Sequence, residues 1–291
     1  MKITRIGKVQ SGQDFTIFGD YVFAFIDRDE RGNCAVYEMK ALLESKGVEP
    51  EPISRFKLDK RDLISTHNNA VFFSNEYYED GDEFPILYSN VYNNYQKYEK
   101  RNEGVLCAYR LKREGSEFST KLVQVIEIGF VEDTSLWKSA QGTFDIRPYG
   151  NFTMDKETGE LYAFVMRDAT NTTRYFAFDM PKVRDGALDE VIGVKKVVLT
   201  PADIKYSFDC EYHKGIQGAC CHGGKIYSVE GGCCGHTSTA ALRIINPKKR
   251  EQEKYISFVE HSIREEPEGI DFYGEDCYYV AGHGDMYLLE F

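Results

Sequence analysis

The chain has 291 residues, a net charge of −11 at pH 7, 20 Tyr and 19 Phe against a single Trp, and only eight Pro. The acidity argues against nucleic acid and anionic membranes as partners, and no apolar run approaches the roughly 18 residues of a membrane span. The length carries a large core, no Pro/Ser-rich hinge divides it, and the aromatics favour pleated, half-buried surfaces; a single all-β domain over 1–291 is expected.

In chain order, the first strand-like run is Lys2-Ile3-Thr4-Arg5-Ile6, which has no hairpin partner nearby. Residues 1–7 lack an apolar signal core, so the chain as given is expected to be cytoplasmic, or secreted if a signal peptide has been removed. A hairpin follows, with Gln13-Asp14-Phe15-Thr16-Ile17 and Tyr21-Val22-Phe23-Ala24-Phe25, then two more runs at 34–39 and 52–56. The second unit opens at His67-Asn68-Asn69-Ala70, passes an acidic insertion at 79–83 and resumes at 85–88, 105–110 and 122–126. The third runs from Asn151-Phe152-Thr153-Met154 through the turn 155–159 to 161–165, then 174–178 and 194–199. The fourth comprises 217–221, 225–229, 241–245 and 254–258, and the fifth 268–272, 276–280 and 286–291.

Three of these units share a spacing. Gln13, Gln217 and Glu268 each stand ten residues before an aromatic, namely Phe23, Tyr227 and Tyr278. Self-similarity of this kind is the mark of a repeat architecture. Four units are complete with four strands; the fifth has three, and residues 2–6 supply the missing one. This predicts a five-bladed β-propeller with four antiparallel strands per blade, the N-terminal strand closing the last blade and leaving only short, protected edges. The expected blades are 11–60, 65–130, 148–200, 215–260, and 266–291 plus 1–8. The alternatives are a β-sandwich, or a six-bladed ring if the stretch 78–104 hides another unit.

In such a ring the first residues of the innermost strands surround one mouth of the central channel. They would be Gln13, Asn69, Asn151, Gln217 and Glu268, with His67 and Asn68 beside them. Buried polar groups need partners, so five at equivalent positions point either to a convergent binding site or to mutual bonding with channel water. Loops returning to this face add Arg147, Arg167, His236 and His283 to His67. Together they suggest a pocket for a small polar or anionic ligand, a saccharide among the options, with guanidinium groups suited to carboxylate or phosphate. Glu268 is the ring's carboxylate. As a general acid or base assisted by His67 or His236 it would make the chain a hydrolase, lyase or cyclotransferase; a protein-interaction scaffold is the third reading. Tyr92, Tyr95 and Tyr98 would supply a stacking rim.

No cofactor is expected. Zinc at Cys233, Cys234 and His236, or a cation in the channel, is the alternative, but no tetrahedral set with the usual spacing emerges. The eight cysteines read as reduced, mostly buried thiols, and the acidic stretch 79–83 as a solvated turn, lacking the alternating ligands of a calcium loop.

Two motifs resemble known propellers. The stretch from Ile216-Gln217-Gly218 through Gly223-Gly224-Lys225-Ile226-Tyr227-Ser228 to Gly231-Gly232 and Ser238 is similar to the pattern of glutaminyl cyclotransferases, with Ser228 where that family has Glu. Glu266-Pro267-Glu268-Gly269-Ile270 resembles a signature of teichoic-acid and phage-tail-type five-bladed propellers. The resemblance implies the same fold and a polar ring at one channel mouth; it covers about 75 residues.

Overall fold

The computed structural model describes residues 1–10, 12–26, 32–64, 66–91, 104–128, 150–167, 170–232 and 239–291. Five sheets make up the described chain, and each blade contributes four antiparallel strands. The first blade is β2 (Phe15–Phe18), β3 (Tyr21–Ile26), β4 (Asn33–Glu38) and β5 (Ser54–Lys57). The second is β6 (Val71–Phe73), β7 (Leu87–Val91), β8 (Val105–Glu114) and β9 (Glu117–Ile128). The third contains β10 (Asn151–Asp155), β11 (Glu160–Arg167), β12 (Thr172–Asp179) and β15 (Tyr206–Glu211). The fourth is β16 (Ile216–His222), β17 (Lys225–Glu230), β18 (Ala241–Asn246) and β19 (Glu251–Ser257). The fifth is β20 (Pro267–Tyr273), β21 (Asp276–Ala281), β22 (Asp285–Glu290) and, returning from the other end of the chain, β1 (Lys2–Lys8). The fold is a five-bladed β-propeller.

Ring closure follows the expected register. Ile3 faces Leu289 and Thr4 faces Leu288 in an antiparallel pair, flanked by the ion pairs Lys2–Glu290 at 2.7 Å and Arg5–Asp285 at 2.6 Å. The shared ten-residue spacing also has a structural meaning. Thr16 pairs with Phe23, Cys220 with Tyr227 and Asp271 with Tyr278, so in each blade the Gln or Glu stands three residues before the partner of the aromatic.

One expectation is overturned. Val194–Leu199 is not the outer strand of the third blade; as β14 it runs parallel to β9 and extends the second blade, with β13 (Ala187–Asp189) beyond it in a six-stranded sheet. The third blade's outer strand is β15 instead, beyond the expected boundary at 200. The β13–β14 hairpin leaves the third blade, crosses the second and reaches the first: Ile192 and Val194 pack into the apolar cluster between the first two blades, and Lys60 donates to the Ile192 carbonyl at 2.5 Å. It covers an outer edge that would otherwise be an unpaired ladder. A short helix, α1 (Met39–Glu44), joins β4 to β5 and buries Met39 and Leu42.

Burial follows position within the blade. Middle strands such as β3 and β4 lie between neighbouring blades and bury almost every residue, so they read as continuous apolar runs. The outer strand β15 alternates, with Phe208 and Cys210 in and Ser207, Asp209 and Glu211 out. Five apolar clusters fill the five seams.

The inner strands present free backbone N–H groups along the axis, and side chains cap them. Asp14 is fully buried; it accepts from its neighbour Phe15 N at 2.8 Å and from Val71 N of the next blade at 2.9 Å. Asp271 repeats the device one blade earlier, accepting from Phe272 N, Ile17 N and the Thr16 hydroxyl. Burial pushes the Asp14 carboxyl well above the usual carboxylate range, opposed by the N–H donors of Val71, Phe15 and Ile270, which favour the ionised form.

Candidate functional site

The channel mouth is built from the first residues of the inner strands. Counting three residues back from the partner of each blade's second-strand aromatic gives Gln13, Asn69, Gly150, Gln217 and Glu268. Four of the five expected ring residues are therefore at equivalent positions. Asn151 sits one residue deeper, level with Asp14, because the turn of the third blade is two residues longer than those of the first, fourth and fifth: Thr153 pairs with Tyr162, nine residues on. Gln13, Asn69 and Glu268 are 6%, 3% and 6% exposed, and Gln217 is half-buried.

Neighbouring strands meet closely around this ring. Asn151 Nδ2 donates to the Gln217 carbonyl and Asn151 Oδ1 accepts from Phe152 N at 2.8 Å. A side chain at Gly218 would come within 2.5 Å of the Glu268 carbonyl, and one at Gly269 within 2.3 Å of Asp14 Oδ1. Only glycine lets these neighbouring strands approach, and Asp14, Asn151 and the two glycines form the level directly below the ring, its floor.

Above that floor the polar groups are partly engaged. Asn90 Nδ2 donates to Asn69 Oδ1 at 2.6 Å and Asn90 Oδ1 accepts from Ala70 N at 3.0 Å. Gln13 Nε2 donates to the Gly12 carbonyl at 2.6 Å, and Gln217 Nε2 donates to Glu266 Oε1. Asn68, in the left-handed region at φ 65°, takes the Ser89 hydroxyl on Oδ1 at 2.7 Å; its Nδ2 and the Thr66 hydroxyl are buried without a partner among the described residues. Thr66 carries no local signal that would have singled it out from sequence.

The basic residues expected here divide. His67 is half-buried beside the ring and His283 is exposed in the turn between β21 and β22. Arg167 turns outward, its guanidinium 3.5 Å from Asp209 on the outer strand, where Arg174 also binds; burial and the neighbouring Arg174 lower its pKa. Arg147 and His236 lie outside the described residues, as do Tyr92, Tyr95, Tyr98, Trp137, Asp168, Cys233 and Cys234.

Cys34, Cys107, Cys210, Cys220, Cys221 and Cys277 are free thiols, and burial raises the pKa of each, which suppresses the reactive thiolate. The acidic stretch 79–83 folds against two arginines: Arg110 bonds Asp82 at 2.6 Å and Glu79 at 2.5 Å, and Arg113 bonds Glu83 at 2.7 Å. Among the described residues no cluster of three or more His, Cys, Asp or Glu could hold a metal ion, and no helix is long and apolar enough to cross a membrane. At the opposite end of the ring an open concavity of about 500 Å³ is lined by Asp20, Tyr21, Glu38, Leu43 and Tyr273, among others.

No family model matches the chain, and no curated protein matches it. Solved structures do. The chain is similar to BamB from Moraxella catarrhalis at 11% identity, over 95% of this chain and 71% of that one, with a TM-score of 0.30. It is similar to hydrazine synthase of Kuenenia stuttgartiensis at 9% identity, over 95% and 73%, with a TM-score of 0.40. It is similar to the computationally designed Ika8 protein at 6% identity, over 99% of each chain, with a TM-score of 0.36. At such identities and scores nothing about function passes from these proteins to this one, and the motif likeness to cyclotransferase and teichoic-acid or phage-tail propellers extends to the fold alone.

Proposed function

We propose that the chain is a binding protein that holds a small neutral or cationic polar molecule, of the saccharide or amino-sugar class, at the channel mouth. The observation that carries this is the ring itself: Gln13, Asn69 and Gln217 supply three amides and Glu268 one carboxylate on adjoining inner strands. Amides donate and accept, a carboxylate accepts, and alternating donors and acceptors are what a polyhydroxylated ligand requires. Among the described residues the ring carries no basic side chain, and Arg167 is committed to Asp209. An anionic ligand is the poorer match on these groups. The buried Asn68 Nδ2 and Thr66 hydroxyl beside the ring add unsatisfied capacity of the kind a ligand or bridging water relieves.

The test is calorimetry or ligand-observed NMR with glucose, N-acetylglucosamine and glucosamine, with citrate as the anionic control. Binding of at least one sugar, weakened about tenfold or more by Glu268→Gln with unchanged circular dichroism, is expected; tenfold corresponds to about 1.4 kcal/mol. If citrate alone binds, the charge argument is wrong. If nothing binds, or if Glu268→Gln and Gln217→Ala leave binding unchanged, the mouth is not the site. Product formation that Glu268→Gln abolishes while binding persists would instead establish the enzyme reading.

A further inference from the structure

The seam between the third and fourth blades contains a histidine that the mouth does not use. Residues 212–215 cross from the outer strand of the third blade to the inner strand of the fourth. His213, in this crossover, is completely buried. Its backbone N–H donates to the Thr173 hydroxyl at 2.9 Å, its ring meets Tyr175 edge-on at 5.9 Å, and neither ring nitrogen has a hydrogen-bond partner among the described residues.

We propose that His213 is an acid-sensitive latch: its protonation expels the ring from the seam, detaches the 212–215 crossover and loosens the side of the channel mouth that begins at Gln217.

The surroundings explain why a charged imidazole cannot stay. Arg243 from β18 and Glu230 from β17 form a buried ion pair, with Nε on Oε2 at 2.9 Å and NH2 on Oε1 at 3.0 Å. The remaining Arg243 donors go to Glu211 on β15, Gln252 on β19 and the Tyr212 carbonyl, so all five N–H groups of the guanidinium are engaged. The other titratable groups packed in the seam, Tyr162 on β11, Tyr175 on β12, Tyr206 and Cys210 on β15 and Cys221 on β16, are neutral and raised by burial; Lys214, the next residue of the crossover, is an exposed cation that adds to the positive charge around Glu230. Glu230 Oε2 lies 3.9 Å from His213 Nδ1 and would attract a proton if it stood alone, but both its oxygens are held by Arg243. A second cation here would be desolvated beside a guanidinium, and the nearest carboxylate, Glu230, is already bonded through both oxygens to Arg243. Burial, and then Arg243, accordingly hold the His213 pKa well below the ordinary imidazole value. The sign follows: the unfolded or detached chain takes up its proton near pH 6.5, the seated ring only at much lower pH, so stability is intact above about pH 6.5 and declines as pH falls below it. A single linked proton changes the opening equilibrium by up to about tenfold per pH unit.

The crossover is coupled to the mouth by its own bonds. Gly215 N donates to Met166 Sδ, Gly231 N donates to the Gly215 carbonyl, and two residues further on the Gln217 carbonyl accepts from Asn151. Releasing 212–215 therefore removes a support of the ring, whichever ligand the ring takes.

Hydrogen exchange of the full chain, corrected for the intrinsic pH dependence of amide exchange, tests this. Between pH 7.5 and pH 5.5 the peptide spanning 212–222 should lose up to about tenfold in protection, while β6 and β7 in the opposite seam keep theirs. His213→Phe, or His213→Leu should the first variant fold poorly, should abolish that pH dependence. NMR titration of the imidazole in the unaltered protein is an independent readout. His213 should stay neutral until the crossover opens. Ordinary titration near pH 6.5 with 212–222 still protected would overturn the proposal, as would equal pH dependence in protein and variant.

Discussion

The seam between the first and second blades and the seam between the third and fourth are made of different materials. The first holds nineteen buried apolar residues, with Phe23, Phe73, Phe84 and Phe118 packed edge-to-face, tilted or stacked at centroid distances of 5.2–6.4 Å. The second holds nine, Tyr175 among them, and completes itself with Arg243, Glu230, His213 and Ser228; Tyr175, His213 and Ser228 carry buried polar atoms that no group among the described residues satisfies. An aromatic seam gains from area removed from water and tolerates any pH. A polar seam gains little net free energy from its ion pair but holds one arrangement only, and that arrangement depends on charge. The same ring thus joins its blades by two mechanisms with different sensitivities.

Three single variants and one double variant would break or sharpen that contrast. The largest effect is expected for Arg243→Met, which leaves Glu230 buried and unpaired and should cost about 4 kcal/mol in urea unfolding. Adding Glu230→Leu should recover most of that loss; failure to recover would mean that the pair contributes more than its mutual neutralisation. Phe84→Ala in the aromatic seam should cost about 3 kcal/mol, with the same value at pH 5.5 and pH 7.5 by thermal or urea melts. A pH-dependent cost there would erase the distinction. The smallest effect is expected for Tyr175→Phe, which deletes a hydroxyl with no protein partner and should raise stability by up to about 1 kcal/mol. A loss of comparable size would show instead that the hydroxyl is bonded to ordered water.

The ring and its closure were legible because they leave a signature in spacing. Gln13, Gln217 and Glu268 stand at one distance from their aromatics because three hairpin turns have the same length. Where the turn differs, the reading slips: the longer turn of the third blade moved Asn151 one level down the axis. The assignment of Val194–Leu199 failed for another reason. A β-favouring run states that a strand forms, not which sheet receives it, and Tyr206–Glu211, which the repeat reading passed over, carries the better outer-strand mark, strict alternation of apolar and polar residues. The axial caps Asp14 and Asp271 and the buried His213 gave no warning. Each acts through backbone groups or neighbours from another blade, and nothing local in the chain distinguishes them from surface residues.

Closure by β1 also sets an order of events during synthesis. Residues 2–8 leave the ribosome before every other strand of the ring, yet their partner, β22, begins at Asp285. At about 5–20 residues per second this strand waits roughly 15–60 s for its neighbour. Over that interval Ile3 and Ile6 and an unsatisfied ladder are open to other chains, and four blades can assemble around a gap that only the final strands close. For a nascent molecule the danger of wrong pairing is therefore concentrated at β1 and β22, and it rises with every delay in translation between them.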